Sequence, residues 1–95
     1  PSFARNKRAM AGALRGYKEL NLRALHALKP GGILATYSCS QHVTRELFFA
    51  CLAEAARDAR AETRVLTWTG QPADHPVLLN FPESEYLKGA LLQKR

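Results

Sequence analysis

The stretch LATYSCSQHVTRELFF, residues 34–49, sets Cys39 between Ser38 and Ser40 where a short apolar run stops and a helical pattern starts. In open α/β sheets, ligands bind beyond the carboxyl ends of the strands. The amides that open a following helix favour an anion, and so a thiolate. Two readings of Cys39 stand on this placement: a nucleophile at the mouth of a site, or a small side chain filling the end of a strand. His42, three residues on, is a candidate to hold the thiol proton or a substrate phosphate. Asp74 and His75 form a candidate acid/base couple, although an Asp-His-Pro step also makes a good turn. Cys39 and His42 lack the further ligand pair that a zinc site needs, so no metal is expected. The chain contains no GxGxG turn, P-loop or acidic ribose ligand, and it is not expected to hold a nucleotide-like cofactor in the usual way.

Those residues need a scaffold, and 95 residues allow one small domain, 1–95. A chain of this size buries about 60 to 65% of its unfolded surface. Hydrophobic residues make up 46% and charged ones 23%, the balance of a globular core rather than a disordered tail. No apolar run approaches the roughly 20 residues needed to span a bilayer, so no membrane partner and a cytoplasmic setting are expected. Two cysteines in neither a CxxC pair nor a four-ligand set fit reduced thiols. The net charge of +6 favours a polyanionic partner. Arg5, Lys7, Arg8, Arg15, Lys18 and Arg23 crowd the first quarter, which reads as a solvated helix face, with Arg5, Lys7 and Arg8 as RNA-phosphate candidates.

Apolar residues Met10, Leu14, Tyr17, Ala24, Leu25 and Leu28 recur at helical spacing behind Asn6, which is expected to cap the helix. Asn21 falls inside that stripe and must find a partner if buried. KPGG, residues 29–32, ends the helix. ILATYS, 33–38, predicts a buried parallel strand covered on both faces. Val43, Thr44 and Phe48 suit a hydrophobic staple around a threonine cap, with Leu47, Cys51, Leu52, Ala55, Ala56 and Ala59 as the buried stripe. Cys51 is therefore expected in the core. TRVLTWT, 63–69, and YLKGALLQ, 86–93, predict two more strands, joined by a long irregular connection rich in proline. Helix, strand, helix, strand, strand is half of a doubly wound α/β sheet, its last two strands able to pair antiparallel. Such a remnant leaves an open sheet edge, through which the isolated segment is expected to form a homodimer.

PSFARNK, GYKELNLRALHALKPGGILATYSCS and GQPADHPVLLNFPESEYLKG, taken together and in this order, resemble the C-terminal stretch of bacterial class I S-adenosylmethionine-dependent methyltransferases. The group they most resemble makes 5-methylcytosine in 23S ribosomal RNA. The resemblance implies a Rossmann-like fold, S-adenosylmethionine as cofactor and ribosomal RNA as partner. It also implies that the chain begins at Pro1, inside an Asp-Pro-Pro element facing cofactor and base, with the RNA-binding domain, the cofactor turn and the ribose ligand upstream. The segment alone is expected to be inactive. In this reading Cys39 is the nucleophile that adds to cytosine carbon 6. Ser2 stands where related enzymes carry a second cysteine, which leaves the proton-abstracting base unidentified; Asp74, His75 and a bound water are candidates by loop position. Phe3 is placed either to stack on the target base or to pack under the helix. Two other readings are a methyltransferase of another substrate with a structural Cys39, and a basic RNA-binding module without a reaction.

Overall fold

The computed structural model describes residues 2–40, 43–71, 74, 76–80 and 87–95, with the backbone alone for residues 2–7. Helix α1 (Ser2–Ala27) leads into strand β1 (Ile33–Ser38); helix α2 (Arg45–Asp58) and strands β2 (Thr63–Gly70) and β3 (Lys88–Lys94) follow. The strands form one sheet in the order β1-β3-β2, and β3 is antiparallel to both neighbours. β1 and β2 therefore point the same way, and their carboxyl ends meet the start of β3 in one row, Ser38, Lys88 and Gly70.

Asn6 is not the cap: α1 already starts at Ser2. The preceding residues contain no breaker, and asparagine inside a helix costs only about 0.7 kcal/mol or less relative to alanine. At the other end Gly31 has φ 88°, left-handed backbone that glycine adopts freely, and its amide donates to the Lys94 carbonyl at 2.7 Å. Lys94 Nζ donates to the carbonyls of His26 (3.2 Å) and Leu28 (2.8 Å), satisfying acceptors that a helix end leaves open.

Thr44 caps α2 as expected, its hydroxyl accepting from the Leu47 amide at 3.1 Å, with Val43 and Phe48 both fully buried around it. The helix closes on a pair of C-terminal bonds, Arg60 N–H to Arg57 O and Ala61 N–H to Ala56 O, with Arg60 at φ 53° where glycine is usual. Leu47 departs from the expected stripe and is exposed, because Phe48 takes the inward position beside Cys51, Leu52 and Ala55.

β1 is not covered on both faces by the described residues. Its residues alternate, with Thr36 and Ser38 buried and Ile33, Ala35 and Tyr37 exposed, because the described contacts of both helices fall on one side of the sheet. It is also an edge strand with an antiparallel partner rather than a parallel one. A continuous apolar run does not distinguish these cases. On the covered side Phe48, Leu52 and Val43 pack on Ala90 and Leu92, and Leu25 packs with Ala59 and Ala61. On the open side the Tyr37 ring lies over Gly89, its neighbour across the strands; a Cβ there would strike the ring and stand 2.8 Å from the Thr36 carbonyl oxygen.

Candidate active site

The polar groups along the inner side of α1 tie down the end of β1. Asn21 is buried and fully engaged: its amide donates to the Tyr17 carbonyl at 2.7 Å, and its oxygen accepts from the Thr36 hydroxyl at 2.6 Å. One turn earlier the Tyr17 hydroxyl accepts from Ser38 Oγ at 3.0 Å, while Ser38 Oγ accepts from the Ser40 amide at 3.4 Å. The Ser40 carbonyl in turn accepts from Lys88 Nζ at 2.5 Å and from the Val43 amide at 3.3 Å. Both serines beside Cys39 are thus held by neighbouring elements, and Cys39 itself is exposed.

The strand end is filled by Ser38, at 2% exposure, and not by the Cys39 side chain. Cys51 is in the core as expected, its thiol donating to the Leu14 carbonyl at 3.4 Å. Burial first, and the Glu54 carboxylate second, push that thiol up from its ordinary value against the pull of Lys18. Asp74 is exposed, in a turn of the connection that leaves β2 at the same end of the sheet as Cys39. Arg8 is exposed on α1, and Ser2, Phe3, Arg5 and Lys7 lie on its first turns. Tyr17 is level with the last residue of β1, so the preceding length of helix, about 22 Å at 1.5 Å per residue, extends toward the Cys39 end. Pro1, His42 and His75 lie outside the described residues, as do the carboxylates Glu83 and Glu85.

Sequence reasoning missed Lys88. Its side chain is only 1% exposed, at an inward position of β3 two residues before Ala90 and four before Leu92. Period-two spacing in KGALLQ was the available signal, since it puts Lys88 on the same face as those two core residues. Trp68 and Tyr37 are 50% and 48% exposed, and Trp68 lies against Phe49 with ring centroids 3.8 Å apart.

Two cavities are formed by described residues, and Cys39 lines neither. One, about 310 Å³, lies between the helices beside Leu14, Lys18, Leu47, Cys51 and Glu54; the other, about 170 Å³, lies beneath Trp68 against Phe49, Leu52 and Leu92. No cluster of three or more metal-ligating side chains occurs among the described residues. Nor is any described helix long and apolar enough to cross a membrane.

No protein-family profile matches the chain. It is similar to the protein named ribosomal RNA large subunit methyltransferase I of Tolumonas auensis, 48% identical over 93 residues, covering 98% of this chain and 23% of that protein. The protein of the same name from Cronobacter sakazakii is 47% identical over 89 residues, covering 94% of this chain and 22% of that protein. The chain therefore spans under a quarter of the length of these relatives. Among solved structures it resembles SMU.776, a putative methyltransferase complexed with SAH, with a TM-score of 0.75 at 19% identity, over 84% of this chain and 20% of that one. That likeness establishes the fold, the expected half of a Rossmann-like sheet with an antiparallel last strand. By sequence the chain is similar to one stretch, under a quarter of the length, of proteins named ribosomal RNA large subunit methyltransferase I.

Proposed function

We propose that the full-length protein containing this segment is an S-adenosylmethionine-dependent methyltransferase that modifies carbon 5 of a cytosine in large-subunit ribosomal RNA, in the cytoplasm, with Cys39 as its nucleophile. The observation that carries this reading is the exposed Cys39 thiol, set between two anchored serines at the carboxyl end of β1. Cytosine carbon 5 is a poor nucleophile. Addition of the Cys39 thiolate forms a sulfur–carbon 6 bond and opens the carbon 5–carbon 6 double bond, so that carbon 5 gains enamine character. S-adenosylmethionine, bound mainly by residues upstream of this segment, would supply an electrophilic methyl group. Once carbon 5 carries the methyl, a base takes its proton and the Cys39 thiolate leaves, restoring the ring. Asp74 and His75 are the candidates for that base, by loop position. Arg5, Lys7 and Arg8, on the same stretch of α1, are the candidates for RNA phosphates in this reading.

The segment alone is expected to be inactive, and its β1 edge to pair with a second copy. The test uses the full-length protein, ribosomal RNA carrying 5-fluorocytidine and the cofactor. Fluorine cannot leave as the proton does, so a denaturant-stable protein–RNA adduct is expected, and it disappears with Cys39→Ala. An active enzyme that forms no adduct would return the reading to a methyl acceptor other than cytosine carbon 5.

A further inference from the structure

We infer that Lys88 and Tyr17 are positioning residues that clamp the Ser38–Ser40 turn from opposite sides and so fix where the Cys39 thiol stands; the inference rests on Cys39 being the nucleophile. A lysine side chain is almost never fully buried unless its charge is met by partners. Lys88 is buried to 1% exposure on the strand directly beside Ser38, and one of its partners is the Ser40 carbonyl, the residue after Cys39. A core position flanked by Ala90 and Leu92 would be filled more cheaply by methionine or leucine, since replacing a buried charge by an apolar side chain of similar volume is often neutral or stabilising. The bond from the ammonium to the Ser40 carbonyl ties this buried position to the turn.

The second jaw is Tyr17. Its hydroxyl holds Ser38 Oγ, which in turn holds the Ser40 amide, so Ser40, the residue after Cys39, is held through its N–H by Ser38 and through its C=O by Lys88. The Tyr17 ring is fixed separately, edge-on to Phe48 at 5.7 Å, and would stay in place without its hydroxyl. A turn held this way presents the thiol in one geometry without any group touching the reacting atoms. Loss of about 1 Å of placement at a reacting atom costs on the order of 10²-fold in rate.

The experiment compares full-length wild type, Lys88→Met and Tyr17→Phe by kcat, KM for RNA and for cofactor, thermal midpoint, and the rate at which iodoacetamide labels Cys39. The clamp predicts that Lys88→Met lowers kcat by about 10²-fold with both KM values within about threefold. Its thermal midpoint is held and its Cys39 labelling rate changed. Tyr17→Phe moves the same two rates in the same sense, by about tenfold or less. Normal kcat and labelling in a folded Lys88→Met overturn the inference, as does a lowered midpoint with kcat unchanged in the folded fraction. If Lys88→Met does not fold, Tyr17→Phe decides: unchanged kcat and labelling there overturn the clamp. A Cys39→Ala protein that keeps its activity would instead remove the nucleophile, and the labelling rates would still report whether the turn is clamped.

Discussion

The two cysteines of this chain occupy opposite kinds of surroundings. Cys39 stands exposed on a short turn at the carboxyl end of β1, with its neighbours bonded to α1 and β3. Cys51 lies in the α1–α2 contact at 5% exposure, its thiol on the Leu14 carbonyl and its ionisation opposed by burial. The same side chain is thus a presented thiol in one place and a small core residue in the other. What differs is the polar framework: serine, tyrosine and lysine partners hold a turn open to solvent, while leucine, phenylalanine and alanine close over a helix face. The difference in exposure is set by the backbone that carries each thiol, and the contrast can be attacked from either side.

The largest effect is expected from exchanging the thiols one at a time. Cys39→Ala in the full-length protein should lower kcat by about 10³-fold or more, as loss of a covalent nucleophile does. Cys51→Ala should leave kcat within about threefold and cost on the order of 1 kcal/mol of stability, read from denaturant midpoints. A large activity loss from Cys51→Ala would break the contrast.

Next in size is the core beside Cys51. Phe48→Ala, at a fully buried position, should cost about 3 to 5 kcal/mol. Iodoacetamide labelling of Cys51 in that variant should rise toward the rate at Cys39, whose own labelling changes less. Equal rates in the wild type would mean that burial does not separate the two thiols.

Smaller effects come from the ends of α2. Arg60→Gly should raise stability by about 1 kcal/mol, because it removes the left-handed strain of a side chain at φ 53° while the closing backbone bonds remain. A calorimetric midpoint that falls instead would place the Arg60 side chain in a role of its own. The Lys18–Asp58 ion pair, 2.7 Å long and partly exposed, holds the Asp58 carboxyl below its ordinary range, chiefly through the Lys18 hydrogen bond. Its contribution is therefore present above the ordinary value of 3.8 and is lost as pH falls through the lower folded value. Asp58→Asn should lower the midpoint slightly at neutral pH, and the difference should close in acid and in high salt. A difference that persists in acid would contradict the ion pair as its source.

Periodicity and turn chemistry made most of the scaffold legible. The proline and glycines at 30–32 stop α1, and Thr44 with Val43 and Phe48 announces α2; all five elements follow in the expected order. The face coverage of β1 was not legible, because six apolar or small residues in a row read alike whether one face or two are covered. Cys39 was legible as a position and not as an environment, since exposure depends on Ser38 taking the strand end. Lys88 escaped because charge is ordinarily read as solvent-facing; only its step of two from Ala90 and of four from Leu92 betrays the inward direction. Asn21 shows the opposite case, a polar residue in an apolar stripe whose need for a partner was legible and is met by Thr36 across fifteen residues.

The most direct measurement maps the trapped adduct. Full-length protein joined to 5-fluorocytidine RNA is digested with trypsin and nuclease, and the residual nucleotide is located by mass spectrometry. Trypsin does not cut Lys29-Pro30, so Cys39 falls in the peptide 24–45 and Cys51 in the peptide 46–57. A nucleotide on Cys39 in the first peptide is the expected result. A nucleotide on Cys51 or elsewhere in the protein, with peptide 24–45 unmodified, would contradict Cys39 as the nucleophile.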